Sequence, residues 1–86
     1  MNQISEIIIG CAFRVSNTLG CGFLEKVYEN AMVLELRKTG LTVGQQEKIK
    51  VFYEGTVVGD YEADLVVNGQ IIVELKAIRD INQGNF

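Results

Sequence analysis

The chain has 86 residues, of which 48% are hydrophobic and 22% charged, and its formal net charge is −3. This composition excludes a disordered segment, and the length suits one domain of modest stability over residues 1–86. The weak negative charge argues against a protein that coats nucleic acid with a broad basic surface, although a site made of acidic metal ligands would also be negative before the metal binds. The apolar runs are too short to span a bilayer.

Cys11 and Cys21 are the two cysteines, and the chain has no histidine. Nothing ahead of them resembles a signal peptide, so we expect reduced thiols in a cytoplasmic protein rather than a disulfide. Two sulfur ligands without histidine are also too few for a structural zinc site.

The first half of the chain predicts two helices. One is expected over residues 3–18, with Gly20 at its end, and the other over residues 23–39, with Gly40 as its C-terminal stop. The apolar positions expected to face the core are Ile4, Ile7, Ile8, Cys11 and Val15 in the first helix, and Leu24, Val27, Tyr28, Ala31 and Leu34 in the second.

After Gly40 the pattern becomes that of a β-meander. Strands are predicted over residues 47–53, 56–67 and 70–78, with a turn at Glu54-Gly55 and a bend of the second strand at Gly59. Asn68-Gly69 is the strongest hairpin signal of the chain. The polar tail 79–86 is expected to be irregular. The predicted fold is therefore α+β, with two N-terminal helices followed by a three-stranded antiparallel meander.

Asp64, Glu74 and Lys76 on the last two strands form the pattern that carries chemistry. Glu74 and Lys76 are separated by one residue, so in a strand their side chains point to the same face. Two carboxylates bind a hard divalent cation, which polarises a phosphate and lowers the pKa of a bound water. A lysine beside them orients that water or offsets charge on the phosphate. The pattern therefore suits phosphodiester hydrolysis.

Whether Asp64 joins this group depends on the hairpin register. A two-residue loop at Asn68-Gly69 pairs Val67 with Gln70 and puts Asp64 on the opposite face. A three-residue loop over residues 67–69, closed by a G1 bulge, pairs Val66 with Gln70 and brings Asp64 to the face of Glu74 and Lys76.

We prefer the bulged register because it separates apolar from charged side chains. It collects Tyr61, Ala63, Leu65, Ile71, Val73, Leu75 and Ala77 on one face. On the other face it collects Glu62, Asp64, Glu74 and Lys76, together with Val66 and Ile72, and it places Glu62 across from Glu74.

Simpler explanations of the same residues stay open. Acids and lysines on one face of a hairpin also describe an ordinary solvated surface, where each ion pair contributes less than about 1 kcal/mol. Glu25, in the first turn of the second helix, either interacts with the helix N-terminus or adds an acid to a metal site. Tyr28, one turn later, is explained by a core aromatic whose hydroxyl finds a polar partner.

Residues 22–28 match the pattern G-x-x-E-x-x-Y, and the chain resembles the small bacterial and archaeal GxxExxY proteins of the PD-(D/E)XK nuclease superfamily. The resemblance extends over residues 4–78 and includes Gln46 in the first strand and the segments 61–65 and 72–77. It implies a restriction-endonuclease-like core and Mg²⁺, or alternatively Mn²⁺, as the cofactor. The implied catalytic residues are Asp64, Glu74, Lys76 and the helical acid Glu25, with Asp64 and Glu74 as metal ligands and with Tyr28, Gln46 and Glu62 in support.

The chain departs from that family in two places. Cys21 replaces a proline between two glycines, and residues 82–86 do not match the helix that follows the lysine strand in the family. We therefore expect a core truncated at its C-terminus, whose bare sheet edge a second copy covers. The leading hypothesis is a metal-dependent nuclease that hydrolyses DNA, where the choice of DNA rests on the resemblance alone. The alternatives are an inactive module that binds protein or nucleic acid, and a site that a partner chain completes.

Overall fold

The computed structural model describes residues 2–76. It contains helices α1 (Gln3–Leu19) and α2 (Glu25–Lys38) and strands β1 (Val43–Tyr53), β2 (Thr56–Val67) and β3 (Ile71–Val73). The strands form one antiparallel sheet in the order β1-β2-β3. This confirms the predicted α+β fold of two helices followed by a three-stranded meander. Over the part that the structure describes, no helix is long and apolar enough to cross a membrane.

Helix α1 begins and ends where its sequence provides caps. The side chain of Asn2 accepts a hydrogen bond from the Ser5 amide at 2.8 Å, which satisfies one of the free donors of the first turn. At the other end Gly20 has a φ of 70°, and its amide donates to the Ser16 carbonyl at 2.9 Å. Ile8, Cys11 and Val15 are buried, as the helical spacing predicts.

Helix α2 buries only part of the predicted face. Its buried residues are Tyr28, Glu29, Met32, Val33 and Leu36. The predicted core residues Leu24, Val27 and Leu34 instead face solvent, with Leu24 exposed by 81% and Leu34 by 64%. A helix buries only one stripe against its neighbours, and apolar residues lie on both sides of α2. The prediction was therefore right for Tyr28 and Ala31, and it was wrong for Leu24, Val27 and Leu34.

The β1–β2 hairpin closes through a tight turn and bends near its middle. Glu54-Gly55 has φ values of 51° and 80°, the positive values that a type I′ turn requires at both central positions. Val51 pairs with Gly59 but Phe52 pairs with Val57, so one extra residue of β2 interrupts the ladder. This irregularity lies at the predicted bend.

The same hairpin has two parts with different surroundings. The base comprises residues 43–49 and 63–67, and its helix-facing side contributes to the core. The arm comprises residues 50–62, all of which are exposed. The core consists of Ile8, Cys11, Val15, Tyr28, Met32, Val33, Leu36, Leu65, Val67 and Leu75.

The β2–β3 register differs from both registers considered from the sequence. Val67 pairs with Ile71 and Leu65 with Val73, so the loop comprises Asn68, Gly69 and Gln70. A contact distant in sequence explains the shift. Asn68 donates its amide to the Thr42 carbonyl at 2.9 Å, and its side chain accepts from the Thr42 amide at 3.0 Å. These bonds hold Asn68 in the loop and leave Val67 in the strand.

Candidate functional site

Asp64 and Glu74 lie across from each other where β3 ends. The last pair of the β2–β3 ladder is Leu65 with Val73, and in the same register the next two positions are Asp64 and Glu74, just beyond the end of β3. The predicted bulged register paired Asp64 with Ile72, whereas the structure pairs Val66 with Ile72, so the prediction was wrong by two residues. Asp64 Oδ2 accepts a hydrogen bond from the Leu75 amide at 3.0 Å. The Asp64 carboxylate is thereby fixed against the backbone that follows Glu74.

Tyr61 contacts one of the two acids directly. Its hydroxyl donates a hydrogen bond to Glu74 Oε1. This bond raises the pKa of Tyr61, and partial burial and the charges of Glu74 and Asp64 raise it further. Tyr61 is thus hydrogen-bonded to Glu74, and the charge of Asp64 acts on the same phenol; we call these three side chains the polar cluster, at the junction of the arm and the base.

The structure corrects the predicted third strand. Instead of covering residues 70–78, β3 ends at Val73; Leu75 lies in a turn and Lys76 is helical, while residues 77–78 fall outside the described residues. The chain turns inward because the Leu75 side chain joins the core while its amide bonds Asp64. Strand alternation therefore does not place Lys76 beside Glu74, although Lys76 follows it closely in the chain and is exposed.

Two other predicted acids lie apart from this cluster. Glu62 pairs with Lys48 where the arm meets the base, which corrects the expected position across from Glu74. Glu25 is partly exposed in the first turn of α2. Within residues 2–76, no three Asp, Glu, Cys or His side chains are grouped closely enough to hold a metal ion.

The carboxylate oxygens of Asp64 and Glu74 are nevertheless ligands of the type that Mg²⁺ prefers. Mg²⁺ is commonly held by one or two carboxylates, with water and substrate oxygens completing its coordination. Asp64 and Glu74 supply two carboxylates of this kind at a partly exposed position. The two carboxylates are therefore suited to binding a hard cation whose remaining coordination positions are filled by water and phosphate oxygens.

A family model described as the PD-(D/E)XK nuclease superfamily matches residues 2–85. The chain belongs to the PD-(D/E)XK nuclease superfamily. Comparisons with curated proteins and with solved structures gave no match. The match to nearly the whole chain gives it a nuclease-type domain, and the order of helices and strands agrees with this assignment.

Tyr28 supports the connection between the two helices of this PD-(D/E)XK domain. It is buried, and its hydroxyl donates to the Gly20 carbonyl at 2.6 Å and accepts from the Phe23 amide at 3.4 Å. Its ring also contacts that of Phe23 in a T-shaped arrangement, with 6.3 Å between centroids. These contacts fix the glycine-rich turn from which α2 and Glu25 begin.

Glu29 is the polar residue of this PD-(D/E)XK domain that the sequence reasoning missed. It is buried on α2 and forms an ion pair with Lys26 at 3.0 Å, and it accepts hydrogen bonds from the side chains of Gln45 and Gln46 on β1. Burial raises the pKa of Glu29, but the bonds from Lys26, Gln45 and Gln46 outweigh it, so the pKa lies below its usual value. The adjacent glutamines were a signal, because two amide donors entering a strand favour an acidic partner.

Proposed function

We propose that this domain hydrolyses DNA phosphodiesters with Mg²⁺ as its cofactor, and that Mn²⁺ is an alternative cofactor. The observation that carries the proposal is that two acids are held near the end of β3, Asp64 by the Leu75 amide and Glu74 by the Tyr61 hydroxyl. The superfamily match and the resemblance of residues 22–28 to the GxxExxY signature support it.

Each residue has a role that follows from its chemistry. Asp64 and Glu74 would hold the cation, which supplies an activated water and neutralises charge on the phosphate. The Leu75 amide orients Asp64, and the Tyr61 hydroxyl orients Glu74. Lys76 would position the attacking water or stabilise the developing negative charge. We assign Glu25 as an assisting acid from the helix.

The test is cleavage of plasmid DNA with and without Mg²⁺. We expect Asp64→Ala and Lys76→Ala each to lower the rate at least about 100-fold, the scale of losing one stabilising group in an active site. Asp60→Ala is the matched control, since Asp60 is an exposed acid of the same strand. Circular dichroism would show that each variant folds. If both substitutions leave cleavage unchanged, the assigned roles are wrong.

A module that binds protein or nucleic acid without catalysis is the second candidate. The long exposed arm favours it, because it presents Val51, Phe52 and Tyr53 to solvent. Thermal unfolding with Mg²⁺ or Mn²⁺ separates the two functions. If the carboxylates bind the metal, a free metal concentration ten times the Kd should raise the free energy of unfolding by about 1.4 kcal/mol. Asp64→Asn should remove this gain. A binding module without a metal site would show no gain.

We also propose that a second copy covers the sheet edge formed by β1. In support, β1 is an edge strand and its distal part carries exposed apolar side chains. Sedimentation equilibrium should give a dimer that Phe52→Asp dissociates, with Phe13→Asp, a substitution of an exposed phenylalanine on α1, as the control. A monomer at every concentration would contradict the proposal.

A cytoplasmic location completes the proposal. Cys11 and Cys21 are free thiols, as is usual in a reducing compartment. Burial raises the pKa of Cys11, which keeps this thiol protonated and unreactive. Cell fractionation of the tagged protein checks the location.

A further inference from the structure

Gln46 has an unusual backbone conformation for a residue in a strand. Its φ is 51°, in the left-handed region that residues other than glycine rarely adopt. The pairs Gln45–Leu65 and Glu47–Ala63 flank it, so Gln46 lies across from Asp64 on β2. The irregular residue of β1 is therefore the neighbour of the proposed metal ligand.

The side chain of Glu29 explains how this conformation is maintained. Gln46 Nε2 donates to Glu29 Oε1 at 2.9 Å, and Gln45 Nε2 donates to Glu29 Oε2 at 2.5 Å. Consecutive side chains of a regular strand point to opposite faces, so one carboxylate could not receive both. The left-handed turn at Gln46 breaks the alternation and brings both amides to the same acid.

The burial of Glu29 and its ion pair with Lys26 stabilise the hydrogen bonds to Gln45 and Gln46. Glu29 is only 3% exposed, and Lys26 also binds its Oε2. A buried carboxylate loses much free energy if its donors are removed, so the three donors and the acid hold each other in place. The network joins α2 to the base of the hairpin on the side of β2 opposite to β3.

We propose that Glu29 is a positioning residue for the site: it holds Gln46 in the left-handed conformation and so fixes β1 against Asp64. This inference rests on the proposed metal-binding role of Asp64. Asp64 lies on the central strand, so its position depends on the segments at both sides. Glu29 fixes one side, and the Leu75 amide fixes the other.

The first experiment needs neither metal nor activity. Nuclear magnetic resonance of the metal-free protein measures the coupling between the amide and α protons of Gln46, which reports φ, and the amide shift of Asp64. Glu29→Met should move Gln46 toward extended values and shift the Asp64 amide. Glu35→Met is the matched control, because Glu35 lies on the same helix but pairs with Arg14 and Lys38.

Two substitutions of Gln46 keep the test valid if Glu29→Met does not fold. Gln46→Gly permits positive φ without the side-chain bond, whereas the branched side chain of Gln46→Val disfavours it. We expect the valine variant to shift the Asp64 amide and the glycine variant to retain the native shift. With Gln46→Gly present, adding Glu29→Met should then have little further effect on Asp64.

Binding of Mn²⁺ connects this geometry to the site. Glu29→Met and Gln46→Val should weaken Mn²⁺ binding about tenfold, as is typical of residues that orient metal ligands, while Glu35→Met keeps the native affinity. Asp64→Asn tests the proposed function separately: if it leaves the affinity unchanged, the metal site is wrong, and the resonance data still decide whether Glu29 positions Asp64. An unchanged Gln46 coupling and Asp64 shift in Glu29→Met overturn the inference.

Discussion

The base and the arm of the β1–β2 hairpin are built from the same two strands but are stabilised differently. In the base, Ala63, Leu65 and Val67 are fully buried. In the arm, residues 50–62 continue the hydrogen-bonded ladder without any cover from the helices. A two-stranded ribbon alone is at best marginally stable in water. The arm is therefore ordered by its type I′ turn and by its connection to the base.

The proposed site lies at the boundary between these two parts. Tyr61 belongs to the arm and Asp64 to the base, while Glu74 follows the short β3 that covers only the base. The buried side supplies fixed backbone positions, and the exposed side leaves the carboxylates open to ions and substrate. A site that requires both a rigid backbone and carboxylates accessible to ions is therefore expected at the edge of the core.

Substitution of two valines of β2 compares how much a buried side chain of the base and an exposed one of the arm contribute to stability. Val67 is 0% exposed and Val57 is 47% exposed, and both are paired in the ladder. Val67→Ala should lower the free energy of unfolding by about 2–3 kcal/mol, because it loses buried methyl groups and leaves a cavity. Val57→Ala should cost at most about 1 kcal/mol, the range of strand propensity. Urea unfolding followed by circular dichroism measures both.

The matched substitutions remove the same atoms from the same strand, so each is the control for the other. Equal losses would mean that the arm is covered in solution, as a dimer would cover it. In that case the loss from Val57→Ala should depend on protein concentration.

The sequence predicted much of this architecture because local rules govern it. The order of elements, the bounds of β2 and the turn at Glu54-Gly55 follow from periodicity and from turn residues. The three-residue length of the β2–β3 loop was also predicted, although over residues 67–69 and not 68–70.

The parts that were wrong depend on contacts between distant residues. The loop position is set by Asn68 bonding Thr42, which no turn rule includes. The end of β3 is set by Leu75 entering the core while Asp64 binds its amide. The buried face of α2 is marked by Glu29, whose partners are glutamines of β1, rather than by the apolar residues Leu24 and Leu34.

A smaller effect is expected from the charge of Glu29, which lies on α2 and binds Gln45 and Gln46 of the base. Its pKa in the folded protein lies below the usual 4.5, so the folded state binds this proton more weakly than the unfolded state. The carboxylate therefore contributes stability above its unfolded pKa, and this contribution is lost as the pH falls through its folded pKa. Glu29→Gln should lower stability at neutral pH by about 1–2 kcal/mol and should flatten the decline in acid.

Urea unfolding at several values between about pH 3 and pH 7 measures this dependence. Glu35→Gln is the control: hydrogen bonding to Arg14 also lowers the pKa of Glu35, but this acid lies at the surface of the helix pair, so its removal should change the acid slope less. The same slope for wild type and Glu29→Gln would contradict a charged, buried Glu29. It would also contradict hydrogen bonding of Glu29 to Gln45 and Gln46, because their amide donors favour the ionised form of the acid.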